Sequence, residues 1–584
     1  MLKRIHVAAL TIITLTQCVS QDVSAQNVST RTYVASHAIA RVPHNVTSFD
    51  PFSSPIPSGS SKENLFGLPP HELAGANTRG RLALLHYPTR HTTLAAPFDS
   101  INRLYNTQHR RPLVRIGIRR NHLTGIGKSW SHVWGQAGLS SYPHTQGRGA
   151  YYIPFPSTGR PTTPIGFSVF SHNNTRAFTI SCASCHTRNL FGRPVLGATN
   201  LLGGSGNTMF LLKQVATLNH RKFRFATRAG GYEQQTFQNM KHHLSFVHGK
   251  RAAGPGLENP VSFVGMSMTA RSNDQALSRT YHNRANAYRT RLAHMNTDTK
   301  PPVLWNLKYK NRFQHDGSMT GDPMLANLIF NEIGRGSDMN QLEHWIRNNR
   351  HAVRDLAAAG YASEAPKWTD FFAPHSIDIV KAKRGEQVFL DRCARCHGEY
   401  DKAWSLSNSH LFSTADRLKT IRVTMPEENT IVRNVGTEPG RSMAMTELST
   451  LANRLSIFRN NGISFTANPG SYVPPPLVGI WARWPYMHNN SIPNLDQLLT
   501  PANQRTPYFY IGPAKNPNTD YDTAAVGFPI NRTPRNWMRN DRLFDTRRPG
   551  LSNAGHDEGI FASGGRSELT HQAKYDLIEF LKTL

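Results

Sequence analysis

Cys182-Ala183-Ser184-Cys185-His186 and Cys393-Ala394-Arg395-Cys396-His397 are two copies of one pentapeptide, C-x-x-C-H, and between them they use every cysteine of the chain but Cys18. The chemistry explains the spacing. Thiols at i and i+3 lie one helical turn apart and reach two vinyl groups on one porphyrin edge, and the next imidazole turns to the iron as proximal ligand. C-x-x-C-H is the attachment sequence of a c-type haem. In 584 residues with 5 Cys and 27 His, chance supplies about 0.002 such pentapeptides. A disulfide or redox C-x-x-C pair needs no His after each second Cys. A zinc site would have to join pairs 211 residues apart. The expected cofactors are two covalent c-type haems, on Cys182 and Cys185 and on Cys393 and Cys396, with His186 and His397 on the irons.

Composition narrows the class around these motifs. Hydrophobic residues make up 38% and charged residues 18%, with 43 Gly and 37 Pro. That excludes a highly charged disordered chain and a long coiled coil, and fits a loop-rich globular protein. Lys and Arg number 67 against 37 Asp and Glu, a formal charge of +30. The basic residues are dispersed rather than gathered into the stripe that nucleic acid needs. An acidic redox protein or an anionic lipid surface is the expected partner of this charge.

Residues 1–25 read as an export signal: Lys3 and Arg4, an apolar run from Val7 to Leu15, and the small-residue pattern Val23-Ser24-Ala25. Cys18 raises a lipoprotein anchor, but Gln17 before it is a poor match, so simple removal is expected. No later segment has the apolar length to span a bilayer. The expected location is periplasmic or secreted, where haem attachment of this kind takes place.

Around the second motif the surroundings are those of a cytochrome. Residues 379–392 read as a helix leading into Cys393, with Gly385 placed for close packing. A last helix starts at Ser567 or Thr570 and carries Ala573, Leu577, Ile578, Leu581 and Leu584 on one stripe. Such first and last helices are expected to cross at the haem edge. An internal repeat links the halves. Pro301-Pro302-Val303-Leu304-Trp305 through His315-Asp316-Gly317-Ser318 matches Pro474-Pro475-Pro476-Leu477 through His488-Asn489-Asn490-Ser491. Lys310 pairs with Arg483 and Phe313 with Tyr486, and Trp305 falls opposite Val478. Each copy follows its own C-x-x-C-H, by 115 residues in the first half and 77 in the second.

The expected fold is mainly α with extensive irregular loops: two cytochrome c-like haem domains plus an N-terminal extension. The boundaries are a signal at 1–25, an irregular wrapping or docking extension at 26–110, a first haem domain at 111–360, a linker at 361–376 and a second haem domain at 377–584. A helix around 340–357, ending at Gly360, leads into the linker.

Over about residues 111–584 the chain resembles the bacterial dihaem cytochrome c peroxidase superfamily. The tract PPPLVGIWARWPYMHNNSIPNLDQLL looks like its post-haem signature, with Asn490 in place of the usual Gly, so a slightly different turn is expected there. Length and the tracts IGFSVF, PPVLWN, VGTEP at 435–439 and LSNAGHDEG look most like the dihaem rubber oxygenases. The resemblance implies unequal haems, the first reactive and the second six-coordinate. It implies His556 as distal ligand of the second haem and Trp305 as a residue supporting electron or radical transfer near the first. Met443, Met445 and Met487 are the alternative distal ligands.

The expected function is an exported haem oxidoreductase that activates O2 or peroxide at one open iron, oxygenase-like toward an apolar polyisoprene-type polymer. The alternatives are a dihaem peroxidase reducing H2O2 and a non-catalytic electron-transfer cytochrome with both irons six-coordinate. A peroxidase needs a distal Glu or Gln, for which Gln314 is the candidate. Phe313 and Gln314 are candidates for the distal face of the first haem. His315 and His488, which recur after both motifs, are expected to be structural hydrogen-bonding residues near a propionate or turn. Ca2+ between the domains is a further candidate ligand.

Overall fold

A computed structural model describes residues 50–87, 94–105, 130–202, 219–271 and 281–584. The export signal, Cys18 and the first part of the expected extension lie outside the described residues. Four helices frame the two halves: α1 (Pro70–His86), α2 (Arg350–Tyr361), α3 (Ile379–Arg392) and α4 (His571–Leu581).

Helix α3 has the bounds read from the sequence, capped by Asp378, whose carboxylate accepts from the Val380 and Lys381 amides. Helix α4 starts at Thr570, whose hydroxyl takes the Ala573 amide. The two cross where Gly385 removes the side chain. A Cβ there would lie 1.9 Å from the Asp576 carbonyl oxygen. Next to that contact Arg384 makes a bidentate pair with the Asp576 carboxylate, at 2.7 and 2.9 Å.

The same joint occurs in the first half. A Cβ on Gly80 of α1 would lie 1.9 Å from the Asp355 carbonyl oxygen of α2, and Arg79 holds the Asp355 carboxylate at 2.6 and 3.2 Å. Arg79-Gly80 on Asp355-Leu356 thus reproduces Arg384-Gly385 on Asp576-Leu577. This corrects the expectation of an irregular extension over 26–110, because residues 70–86 of it are a packed helix. The misreading has a physical cause: α1 carries Gly75 and Gly80 and lacks the clean apolar stripe that periodicity detects. The single helix expected around 340–357 is two, Met339–Asn348 and α2, broken at Asn349.

Helices predominate, but the fold is mixed, with one three-stranded and several two-stranded sheets among the described residues. The hairpin Phe167–His172/Thr175–Ile180 leads into the first motif and the hairpin Thr187–Leu190/Arg193–Leu196 leaves it. The second motif is followed by the pair Glu399–Lys402/Thr420–Thr424. The expectation of a mainly α chain missed these strands because they are short and interleaved with turns.

The core falls into two large clusters that trade segments. The first collects residues of α1 and α2 with Ala444–Phe465 of the second half. The second collects the second half with Leu190–Leu201, Val303 and Trp305 of the first. The Pro-Pro repeat lies where they meet, Leu304 entering one core and Trp305 the other. No helix among the described residues is long and apolar enough to cross a membrane.

Candidate functional site

Each C-x-x-C-H pentapeptide folds as a single tight turn. In the first, the Cys185 and His186 amides donate to the Cys182 carbonyl at 3.2 and 3.1 Å. In the second, Cys396 and His397 donate to Cys393 at 3.0 Å each. The first turn packs on Gly166, in the IGFSVF tract, where a Cβ would lie 2.6 Å from the Ser184 backbone. Within the described structure the four cysteines form no disulfide. Burial pushes the Cys182 thiol up to about 11 and the Cys393 thiol up to about 12. A redox C-x-x-C pair works through a depressed thiol pKa, and neither of these two thiols has one.

The histidines of the motifs turn inward; His186 is buried and His397 is partly exposed to a cavity. Burial lowers His186 and takes His397 down to about 4, which keeps both imidazoles neutral, the form a metal needs. His397 Nδ1 lies 2.8 Å from the Pro475 carbonyl oxygen. That contact fixes a tautomer with Nε2 free, as the partner of a metal-bound histidine does. His186 Nδ1 faces Pro302, the residue equivalent to Pro475 in the repeat, whose carbonyl raises its pKa against burial without reaching hydrogen-bond geometry. The second proline of each repeat thus lies beside the histidine of its own motif, and in the second half its carbonyl meets that histidine at hydrogen-bond distance. Tyr400 adds a strut in the second half, its hydroxyl donating to the His397 carbonyl at 2.9 Å and accepting from the Leu477 amide at 2.5 Å.

His556 stands across the cavity from His397. Their ring centres are 6.0 Å apart, and two imidazoles bound to one metal at about 2 Å each hold their centres about 6 Å apart. His556 adopts φ 58, its amide donating to the Val435 carbonyl at 2.7 Å. Gly555 before it lies against Gly436, where a Cβ would be 2.4 Å from backbone. Arg505 clamps the loop by donating to the Asn553 and Gly555 carbonyls. The VGTEP and LSNAGHDEG tracts thus meet to present one imidazole. Burial takes His556 down to about 3, and its Nδ1 has no hydrogen-bond partner among the described residues. Two neutral, half-buried imidazoles at this separation, in a cavity also lined by Cys393 and Cys396, fit a haem with histidine on both faces. Of the alternative ligands, Met443 is exposed and Met445 lies in the first core. Met487 borders the cavity.

The remaining candidates divide: His315 and His488 line the same cavity, while Trp305, Phe313 and Gln314 do not. Trp305 is fully buried, its Nε1 donating to the Val478 carbonyl at 2.9 Å, and it lies behind the cavity wall that Val303 and Asn306 form. Phe313 is a core residue, and Gln314 Oε1 accepts from Arg441 at 3.1 Å. His315 Nε2 meets the Lys300 carbonyl at 2.8 Å, while His488 stacks on Tyr472 with ring centres 4.2 Å apart. The turn at Asn490 follows its partner closely. Gln314 and Gly317 have φ 65 and 65, and Met487 and Asn490 have φ 67 and 58. Asn takes the left-handed conformation at little cost, so the turn survives the loss of Gly. Among the described residues no group of three or more His, Cys, Asp or Glu side chains forms a metal site of the kind Ca2+ carboxylate ligation would use.

Glu258 was not foreseen. Cys185 Sγ donates to its Oε1 at 2.9 Å, and its charge acts on His186. It is held at the first motif by paired backbone bonds to Thr299, 2.9 Å each. It stands 73 residues from Cys185 with no local motif around it, so only the fold places it there.

Comparison with known proteins bears on the second half. Residues 471–510 match the family model RoxA-like, cytochrome c-like. This stretch holds Pro475, Arg483 and His488. The match relates the chain to rubber oxygenase-like proteins and implies a haem cofactor. Uncharacterized protein y4iJ of Sinorhizobium fredii is 29% identical over 266 residues, 38% of this chain and 41% of that protein. Uncharacterized protein y4iM of the same organism is 26% identical over 327 residues, 49% of this chain and 65% of that protein. The chain thus spans less than two thirds of either relative.

Proposed function

We propose that the chain is an exported dihaem oxidoreductase, with one haem on Cys182, Cys185 and His186 and a second on Cys393, Cys396, His397 and His556. Two cognate haem units follow from this reading, each framed by its own Arg-Gly/Asp helix crossing, so the first begins at α1. The observation that carries it is the pair of identical thiol turns with His556 opposite His397. Haem supplies the redox chemistry when bound, an open position permitting O2 or peroxide activation and a histidine-filled one electron relay.

The residues divide the work accordingly. The Pro475 carbonyl orients the His397 imidazole, and Pro302 lies at the equivalent place beside His186. His556, clamped through Val435 and Arg505, closes the second site to small oxidants. Trp305, bound to Val478 within the second core, is placed for electron exchange between the units. The favoured reaction is oxygenase-like cleavage of an apolar polymer. The alternative reaction is peroxide reduction; Glu258 contacts the anchor Cys185 and acts on His186, which puts it on the attachment side of the first haem.

Mass spectrometry and the ferric paramagnetic resonance spectrum of the purified protein test the proposal. Two haem additions, with one low-spin and one high-spin iron, are expected. A bare polypeptide mass ends the haem reading, and two low-spin irons inert to cyanide and peroxide end the enzyme reading. Incubation with polyisoprene and O2, beside a peroxide assay, separates the two reactions by aldehyde and ketone cleavage products.

A further inference from the structure

Positive charge is concentrated inside the molecule where the two halves meet. Lys300, Lys310 and Arg483 all line the cavity that holds Cys393, Cys396, His397 and His556. Lys310 and Arg483 occupy equivalent places in the repeat, so each half contributes one cation to the same wall. Arg188 stands behind them, stacked on Trp484 with its guanidinium carbon 3.7 Å from the ring centre.

Among the described residues none of these cations pairs with a carboxylate, and Lys300, Arg483 and Arg188 donate to backbone carbonyls. Lys300 Nζ donates to the Arg483 and Pro485 carbonyls, at 3.2 and 2.5 Å. Arg483 donates to Pro476 at 2.7 Å. Arg188 donates to Ala482 and Trp484, leaving its Nε and one Nη buried and unpaired among the described residues. The charged groups acting on Lys300 are Arg483 and Arg188, and Arg483 acts on Lys310. Burial lowers all of them, Lys310 to about 8 and Arg483 to about 10. A low-dielectric interior does not hold like charges together without an anion.

We infer that Lys300, Lys310 and Arg483 form an anion cradle that pairs with the propionate carboxylates of the haem carried on Cys393 and Cys396. This rests on the haem reading above and goes beyond it. A haem brings two carboxylates on a planar body, and the cradle opens on the cavity that would receive that body. Charge-assisted pairs of this kind are among the stronger hydrogen bonds. Lys300 and Lys310 come from the first half, so that half would set the electrostatics of the second half's haem.

The test uses holoprotein carrying Lys310→Met, Arg483→Met or the charge-keeping Lys310→Arg. Mass and haemochrome spectra establish that both haems remain attached. Removing a neighbouring positive charge favours the ferric iron, so each Met variant should lower the potential of the low-spin haem. The expected shift is about tenfold or more in the reduction equilibrium, or about 59 mV per decade for one electron. Lys310→Arg should restore most of it. An unchanged potential in both Met variants, haems in place, overturns the cradle alone. Where a Met variant does not accumulate, Raman propionate bending bands of the unsubstituted protein decide: ion-paired positions support the cradle, and free-carboxylate positions overturn it. An unsubstituted chain with a bare mass removes the haem reading and the cradle together.

Discussion

The Trp305 indole donates to the carbonyl of Val478 at 2.9 Å, and Val478 is the residue that stands at Trp305's own position in the second copy of the repeat. The repeats are thus tied by a bond that only one of them can make. Gly479 next to Val478 leaves the room, since a Cβ there would sit 3.3 Å from the indole nitrogen. Trp305→Phe should keep both haems and cost about 1–3 kcal/mol, as a buried carbonyl loses its donor. Electron exchange between the haems should slow, which rapid-mixing reduction of the ferric protein measures.

His556→Ala should turn the second haem from low-spin to high-spin, read in the paramagnetic resonance and optical spectra. Its imidazole is neutral and aimed across 6.0 Å at His397. A low-spin spectrum that persists would point to Met487, the methionine of the three alternatives that borders the cavity.

Gly385→Ala should destabilise the second half by the upper end of the about 1–3 kcal/mol that overpacking costs, because its Cβ meets backbone and not a flexible side chain. Gly80→Ala should do the same in the first half. Thermal melts with separate monitoring of the two haem spectra would show each change.

Lys402 gives a pH dependence. Its ammonium group donates to Thr420 and to the Thr583 carbonyl, tying a strand to the C-terminus, and burial takes it from 10.5 to about 7. Between those values the unfolded chain binds a proton that the folded chain does not, so unfolding free energy rises with pH across that window. Below about 7 both states are charged and the contribution is at its minimum. The difference between the native protein and Lys402→Met in denaturant titrations at pH 7.5 and 9.5 should change by up to about 1.4 kcal/mol per pH unit. A constant difference would place the Lys402 pKa outside the window.

Glu258→Gln removes a negative charge beside His186, so the potential of the first haem should rise while that of the second stays unchanged. An optically followed redox titration measures both.

The two pentapeptides, the Pro-Pro repeat, helix 379–392 and the last helix were legible from the chain, because each rests on local spacing or on periodicity within one element. Adjacent thiols and an imidazole need only one turn to act together. The tertiary structure decided what depends on contacts between distant segments. It brought His556 opposite His397 by joining two loops at Gly436 and Gly555, and set Glu258 beside Cys185. It also turned the Pro302 and Pro475 carbonyls toward their histidines and gathered Lys300, Lys310 and Arg483 around one cavity. Helix 70–86 belonged to this second kind. Its glycines weaken the local helical signal, and Gly80 is there because another helix must approach to backbone contact, a fact held by Asp355 far along the chain.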